Sequence, residues 1–87
     1  MPKVVFTHAV KDVDLWMNKH SERVELFAEW GSNIVGYAIA DGGNMVALSI
    51  DVNDMDAMQA SLGTDEIDRA KEAHGVFGSI AMFVAPE

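Results

Sequence analysis

The chain has 87 residues, room for one domain and one core, and its 49% hydrophobic and 23% charged residues are a globular mixture rather than a disordered one. Its 14 acids against six bases leave a net charge of −8. That balance argues against binding to nucleic-acid phosphates or to anionic lipid, because both need a Lys/Arg footprint. The absence of cysteine excludes a disulfide framework and a cysteine–zinc site.

Residues 3–8, Lys-Val-Val-Phe-Thr-His, are a β-branched and aromatic run of strand length. Asp12 then supplies a helix cap, and Asp14 suits the positive end of the helix dipole. From residue 13 to residue 30 the period becomes helical, with Val13, Trp16, Val24 and Phe27 in one stripe and Glu22, Glu25 and Glu29 opposite. Gly31 is expected to end this helix in a left-handed conformation. A second strand is expected over residues 33–40 and a third over 45–51, joined by the hairpin signal Asp41-Gly42-Gly43-Asn44. Asn53 or Asp54 caps a second helix carrying Met55, Met58 and Leu62 inward. Gly63-Thr64 interrupts that helix, and Thr64-Asp65-Glu66 restarts it with Ile67, Ala70 and His74 on the inner face, up to a stop at Gly75-Val76. The fourth strand covers residues 77–85, and Pro86-Glu87 is a short tail.

The order β-α-β-β-α-β is the ferredoxin-like plan: an α+β fold with a four-stranded antiparallel sheet, order 4-1-3-2, and the helices on one face. The whole chain, residues 1–87, is one such domain. The other sheet face should be polar if it met water. Instead strand 2 alternates Ile34/Gly36/Ala38 with Val35/Tyr37/Ile39, and strand 4 alternates Ile80/Met82/Val84 with Ala81/Phe83/Ala85, so neither face is given to solvent. A chain this short buries only ~60% of its unfolded surface alone. A homodimer with the sheets back to back is therefore expected.

On element order, and on the segments Val4-Val5-Phe6-Thr7-His8, Asp51-Val52-Asn53-Asp54-Met55-Asp56-Ala57-Met58 and Lys71-Glu72-Ala73-His74-Gly75-Val76, the chain resembles the dimeric α/β-barrel superfamily of antibiotic-biosynthesis monooxygenases and stress-responsive barrel proteins. The resemblance implies a back-to-back dimer and, in many members, a small-molecule pocket between sheet and helices. It does not fix an activity, since members include cofactor-free oxygenases, haem-degrading oxygenases, isomerases and non-catalytic proteins.

The three histidines carry the chemistry. His20 lies between Trp16 and Val24 in the apolar stripe, His8 shares the parity of Val4 and Phe6, and His74 is in phase with Ile67. All three are expected to face the sheet–helix layer at one end of the sheet, with Trp16 beside them. A neutral imidazole there would take a proton from an acidic carbon or phenol and return it. Each also has a plainer reading: a packed histidine at position 20, a strand end at 8, a cation at a helix C-terminus at 74. A three-histidine metal site ranks lower, because no His-x-x-His or His-x-x-x-His pair is present. Haem is not expected either. His74 matches the axial position of haem-degrading members, but their strand-1 Asn would fall on Thr7 or His8 and their Trp on Asp51 or Val52.

Trp16, Phe6 and Phe27 fill a core in the plain reading, or wall a pocket for an aromatic or polyketide-like ligand, with Tyr37 and Asn44 as hydrogen-bonding partners. The acids from Asp51 to Asp68 lack a calcium-loop pattern and serve as caps and solvated surface. No cofactor is expected. Partners are a second copy of the chain and a small molecule, with neither nucleic acid nor membrane. The function expected is a cofactor-independent oxygenase, cyclase or isomerase, with a non-catalytic, stress-related or ligand-binding dimer as the alternative. With no long apolar leader at the N-terminus and no 20-residue apolar span, the expected address is the cytoplasm.

Overall fold

The computed structural model describes residues 2–85. The elements are β1 (Lys3–Val10), α1 (Val13–Asn18), α2 (His20–Phe27), β2 (Gly31–Ala38), β3 (Met45–Val52), α3 (Met55–Leu62), α4 (Asp65–Ala73) and β4 (Val76–Val84). Pro86 and Glu87, read above as a tail, lie outside the described residues. The four strands pair antiparallel in the order β2-β3-β1-β4, the order expected of a ferredoxin-like α+β fold. Among the described residues no helix is long and apolar enough to cross a membrane.

The helices start where capping chemistry allows. Asp12 accepts a hydrogen bond from the Leu15 N–H at 3.2 Å, Asp54 from Ala57 at 3.1 Å, and Thr64 from Ile67 at 3.4 Å, each satisfying a donor that the first turn leaves free. The segment expected as one helix over residues 13–30 is divided at Lys19, whose φ/ψ of −88°/7° tightens the chain between α1 and α2. It also stops at Phe27 rather than at Gly31. Gly31 is instead the first residue of β2, with no positive φ. Its requirement is space: a Cβ there would collide with the Ile50 side chain across the β2–β3 ladder. Gly75 does take the left-handed conformation expected of it, φ +76°, and ends α4.

Alternation along the central strands sorts the two sheet faces. Val4, Phe6, His8 and Val10 of β1 and Val46, Leu48, Ile50 and Val52 of β3 are buried toward the helices. Trp16 and Met58 cap this layer, and Trp30 closes it at the entry to β2. Each buried indole removes roughly 150–250 Å² from water, on the order of 4–6 kcal/mol of transfer free energy as an upper bound. That exceeds any single cap at about 1 kcal/mol, so the tryptophans fix where the first helical pair sits. α2 lies over β2 and α4 over β4. On the opposite face Val35, Tyr37, Phe77 and Phe83 are exposed.

The helical stripe differs from the one the sequence suggests. Val24 is 40% exposed, and Arg23, 4% exposed, takes the inward place beside Trp16. Seven residues are nearly two turns, so Arg23 is closer in phase to Trp16 than Val24 is. A stripe drawn from apolar residues alone passes over it.

Two register breaks shape the sheet. On β2, Asn33 at φ 51° forms a bulge against β3 and donates to the Asp51 carboxylate at 2.9 Å. On β4, Thr7 pairs with Ala81 but Ala9 pairs with Phe77, so His8 alone is opposed by Gly78, Ser79 and Ile80. A bulge of this kind re-aims the side chains around it.

Candidate small-molecule site

A cavity of about 70 Å³, partly open to solvent, lies between sheet and helices and reaches Ile80 at the β4 bulge. Phe6 and His8 of β1 and Leu48 of β3 form its floor. Trp16, Arg23 and Phe27 come from the first helical pair, Ile67, Lys71 and His74 from α4, and Ile80 from β4. A shallower groove of about 310 Å³, bordered by Glu22, Glu66 and Arg69, shares Leu26, Ala70 and His74 with it.

The polar groups form a connected set around Arg23. Its guanidinium lies 3.9 Å above the Trp16 ring, a cation–π stack, and its Nη2 donates to the Trp16 carbonyl at 2.6 Å. Its Nη1 lies 3.3 Å from His74 Nδ1. Because a guanidinium only donates, His74 Nδ1 is the acceptor and the ring proton sits on Nε2. That Nε2–H points to the Glu22 carboxylate at 3.3 Å, and Lys19 Nζ lies 3.6 Å from the same oxygen. The His8 ring also makes an edge contact with Trp16, centroids 5.8 Å apart at 71°. Two buried nitrogens of this set have no partner among the described residues, His8 Nδ1 and Arg23 Nε.

Burial pushes the His8 imidazole below the usual histidine range; the neighbouring Ala9 backbone opposes this, and Arg23 and Lys71 add to it. His74 is lowered too, by burial and then by Arg23, against the hydrogen bond to Glu22. Arg23 itself is lowered to about 10 by burial, so it stays cationic at neutral pH.

The structure brings together five of the eight residues singled out from the sequence: His8, His74, Trp16, Phe6 and Phe27 all line the cavity. His20 does not. It is half-buried at the start of α2, with Nδ1 3.7 Å from where a Cβ on Gly36 would stand, so it rests on β2. The same missing Cβ admits the Trp16 ring, which would approach it to 3.1 Å. Tyr37 is 49% exposed on the other sheet face, with its hydroxyl 3.3 Å from Ser49 Oγ, because its parity is that of Val35 and not of Gly36. Asn44 is exposed in the hairpin, where its carbonyl accepts from the Val10 N–H. Two residues that sequence reasoning missed stand in their place, Arg23 and Lys71. Among the described residues no group of three or more His, Cys, Asp or Glu side chains is placed to hold a metal ion.

No protein-family model matches the sequence, and no curated protein matches it. Solved structures do. One is described as an antibiotic biosynthesis monooxygenase, 13% identical, with a TM-score of 0.72 over 100% of this chain and 98% of that one. Another is SnoaB, a cofactor-independent oxygenase from Streptomyces nogalater, 14% identical, with a TM-score of 0.73 over 99% and 93%. A third is a conserved protein from Methanosarcina mazei, 13% identical, at 0.68 over 97% and 89%. The chain shares their fold. The match runs nearly end to end, and the fold these neighbours share with the chain is ferredoxin-like. At these identities the likeness carries the fold and not the chemistry.

Proposed function

We propose that the chain is a small-molecule-binding protein, active as a homodimer, that carries out cofactor-independent proton-transfer chemistry of the oxygenase, cyclase or isomerase kind in the sheet–helix cavity. The observation that carries this reading is His8: a buried imidazole, kept neutral by its surroundings, with Nδ1 unpaired beside an apolar cavity. An orphan nitrogen of this kind costs about 1–3 kcal/mol; Trp30 Nε1 in the core carries that cost as well, but His8 Nδ1 and Arg23 Nε carry it on two residues that line the same cavity. A lone pair held unprotonated at neutral pH suits a general base. In this reading His8 Nδ1 takes a proton from a carbon next to a carbonyl, or from a phenol, and Arg23 steadies the anion left behind. In an isomerase the proton returns at another position; in an oxygenase dioxygen is the oxidant that accepts electrons from the carbanion. SnoaB is a cofactor-independent oxygenase on the same fold, which favours this class by analogy. His74, with both ring nitrogens engaged, positions Arg23 and is not the base.

A second reading has its own observation. Sites for drug-sized ligands occupy ~300–1,000 Å³, and this cavity offers about 70 Å³. A volume of that size favours a binding protein for a very small molecule, or for one end of a larger molecule whose body lies in the outer groove.

Two measurements separate the readings. Proton NMR in D₂O would follow deuterium entering butanone beside its carbonyl, and an oxygen electrode would follow consumption with a hydroquinone. Wild-type protein is expected to accelerate one of the two over buffer, and His8→Gln to lose at least about tenfold, the low end for a general base of ~10²–10⁴. No acceleration by wild type, with ligand binding intact, leaves the binding protein.

A further inference from the structure

Arg23 is the least expected residue in the core. In a chain of net charge −8, the cavity wall holds two cations, Arg23 and Lys71, and none of its lining residues is Asp or Glu. Lys71 is paired at its outer end, 3.9 Å from Asp68. Arg23 is not: among the described residues its guanidinium forms no ion pair, and the neighbouring Glu22 carboxylate, directed to His74 and Lys19, favours its charge only from a distance and not enough to offset burial. What Arg23 does have are neutral acceptors, the Trp16 carbonyl and His74 Nδ1, and the face of an indole. These satisfy two of its nitrogens and leave Nε–H, buried and without an acceptor. A guanidinium taken out of water is costly unless an anion faces it, and a native fold rarely leaves such a charge uncompensated.

We infer that the cavity is an anion site, and that the molecule it takes carries a carboxylate, whose oxygens meet the free Nε–H edge of Arg23 with the Lys71 ammonium as a second positive neighbour. The inference rests on the reading of the cavity as a small-molecule site and names what that site selects. The size of the space agrees with it. At about 10–15 Å³ for each water-sized group, 70 Å³ holds roughly five such groups, enough for a carboxylate and a short chain or the acid end of a longer molecule. The walls agree as well: Phe6, Phe27, Leu48, Ile67 and Ile80 give the remainder of the ligand an apolar bed. His8, whose Nδ1 is the other unpaired nitrogen, lines the same cavity as the ligand fixed by its charge. Preferred substrates of the proposed chemistry would be acids with an acidic C–H close to the carboxylate, such as short 2-oxo acids, with neutral ketones and phenols turned over more slowly.

The test uses a matched pair of probes, isobutyrate and the neutral isobutyramide, with binding followed by Trp fluorescence and by the indole N–H signal of Trp16 in a ¹⁵N correlation spectrum. Wild type is expected to bind isobutyrate at least about tenfold tighter than the amide, the increment of one charge-assisted contact. Arg23→Met, of similar length and without charge, should erase that preference by weakening acid binding far more than amide binding. Equal binding of acid and amide to wild type would overturn the anion inference alone, leaving the cavity as a neutral ligand site. Binding of neither probe, with Trp16 unmoved, would overturn the inference and the small-molecule reading together. Should Arg23→Met not fold, Arg23→Lys serves. It keeps the charge but lacks the forked donor, so it is expected to keep the sign of the preference at reduced size, and an unchanged preference in it would count against Arg23 as the contact.

Discussion

His8 and His74 are held neutral by the same means, burial beside Arg23, and this has a consequence for stability. Their folded-state affinities for protons lie below the ordinary histidine value of 6.5, so on the acid side the unfolded chain binds protons that the folded one refuses. Folding stability is then complete above about pH 7, falls as the pH drops through 6.5, and levels off once the folded-state values are passed. The groups around them set the size of the effect: Arg23 and Lys71 act on His8, while Arg23 and Lys19 act on His74 against Glu22. Thermal unfolding from pH 7.5 to pH 5.5 is expected to show a falling midpoint in wild type. The slope should be shallower in a His8→Gln/His74→Gln protein, which keeps every carboxylate and so cancels their contribution. Parallel slopes in the two proteins would show that these imidazoles are not shielded in the folded state.

The half-helices are the units that carry the site, and three of the four, α1, α3 and α4, are started by a side-chain oxygen, whereas α2 follows the turn at Lys19 without one. Thr64 is the clearest case. Its hydroxyl donates to the Ser61 carbonyl at 2.7 Å and accepts from the Ile67 N–H at 3.4 Å, so one group closes α3 and opens α4. Thr64→Ala is expected to cost about 1 kcal/mol in urea unfolding and to loosen the element that bears Ile67, Lys71 and His74. No change in midpoint would mean that packing of Ile67 alone sets the start of α4. Capping residues of this sort are legible in a sequence, which is why Asp12, Asp54 and Thr64, the element order and the strand order all follow from it. Strand parity was equally plain for Phe6 and His8. What eluded the sequence were features where local rules are broken for the site. Arg23 is a charge inside an apolar stripe, and hydropathy gives no reason to turn it inward. The turn at Lys19 carries no Gly or Pro to mark it. His20 fits the stripe by phase, yet it sits on the side of Trp16 that faces β2, because the missing Cβ of Gly36 leaves room there. Only Gly78 within the last strand signalled the bulge opposite His8.

At the scale of the molecule, the face away from the helices is unfinished. Val35 is 45% exposed, Tyr37 49% and Phe83 57%, and β4, the edge of the sheet, adds Phe77 on the same face. Thr7 and Ser49 are among the few polar groups between them, too few for a sheet face that meets water. A second copy of the chain is the proposed cover, sheet against sheet, since the same apolar surface on both partners is complementary to itself under a twofold axis. Charge works against this pairing, because each partner brings −8. Long-range repulsion between like-charged partners is screened over about 10 Å at 0.1 M salt, whereas apolar burial is not weakened by it. Self-association should therefore tighten as salt rises from about 20 to about 300 mM, the reverse of an interface built on ion pairs. Sedimentation at micromolar concentration is expected to give twice the mass of one chain, with the dissociation constant falling across that salt range. Phe83→Glu places a new charge where the side chain is already exposed in the single chain, so it should leave the unfolding of an isolated protomer within about 0.5 kcal/mol. The same change should convert the dimer to monomer, because the buried carboxylate would find no partner on the facing sheet. A monomer at every salt concentration in the unaltered protein would show that the exposed sheet face is tolerated by solvent, and the homodimer would have to be given up.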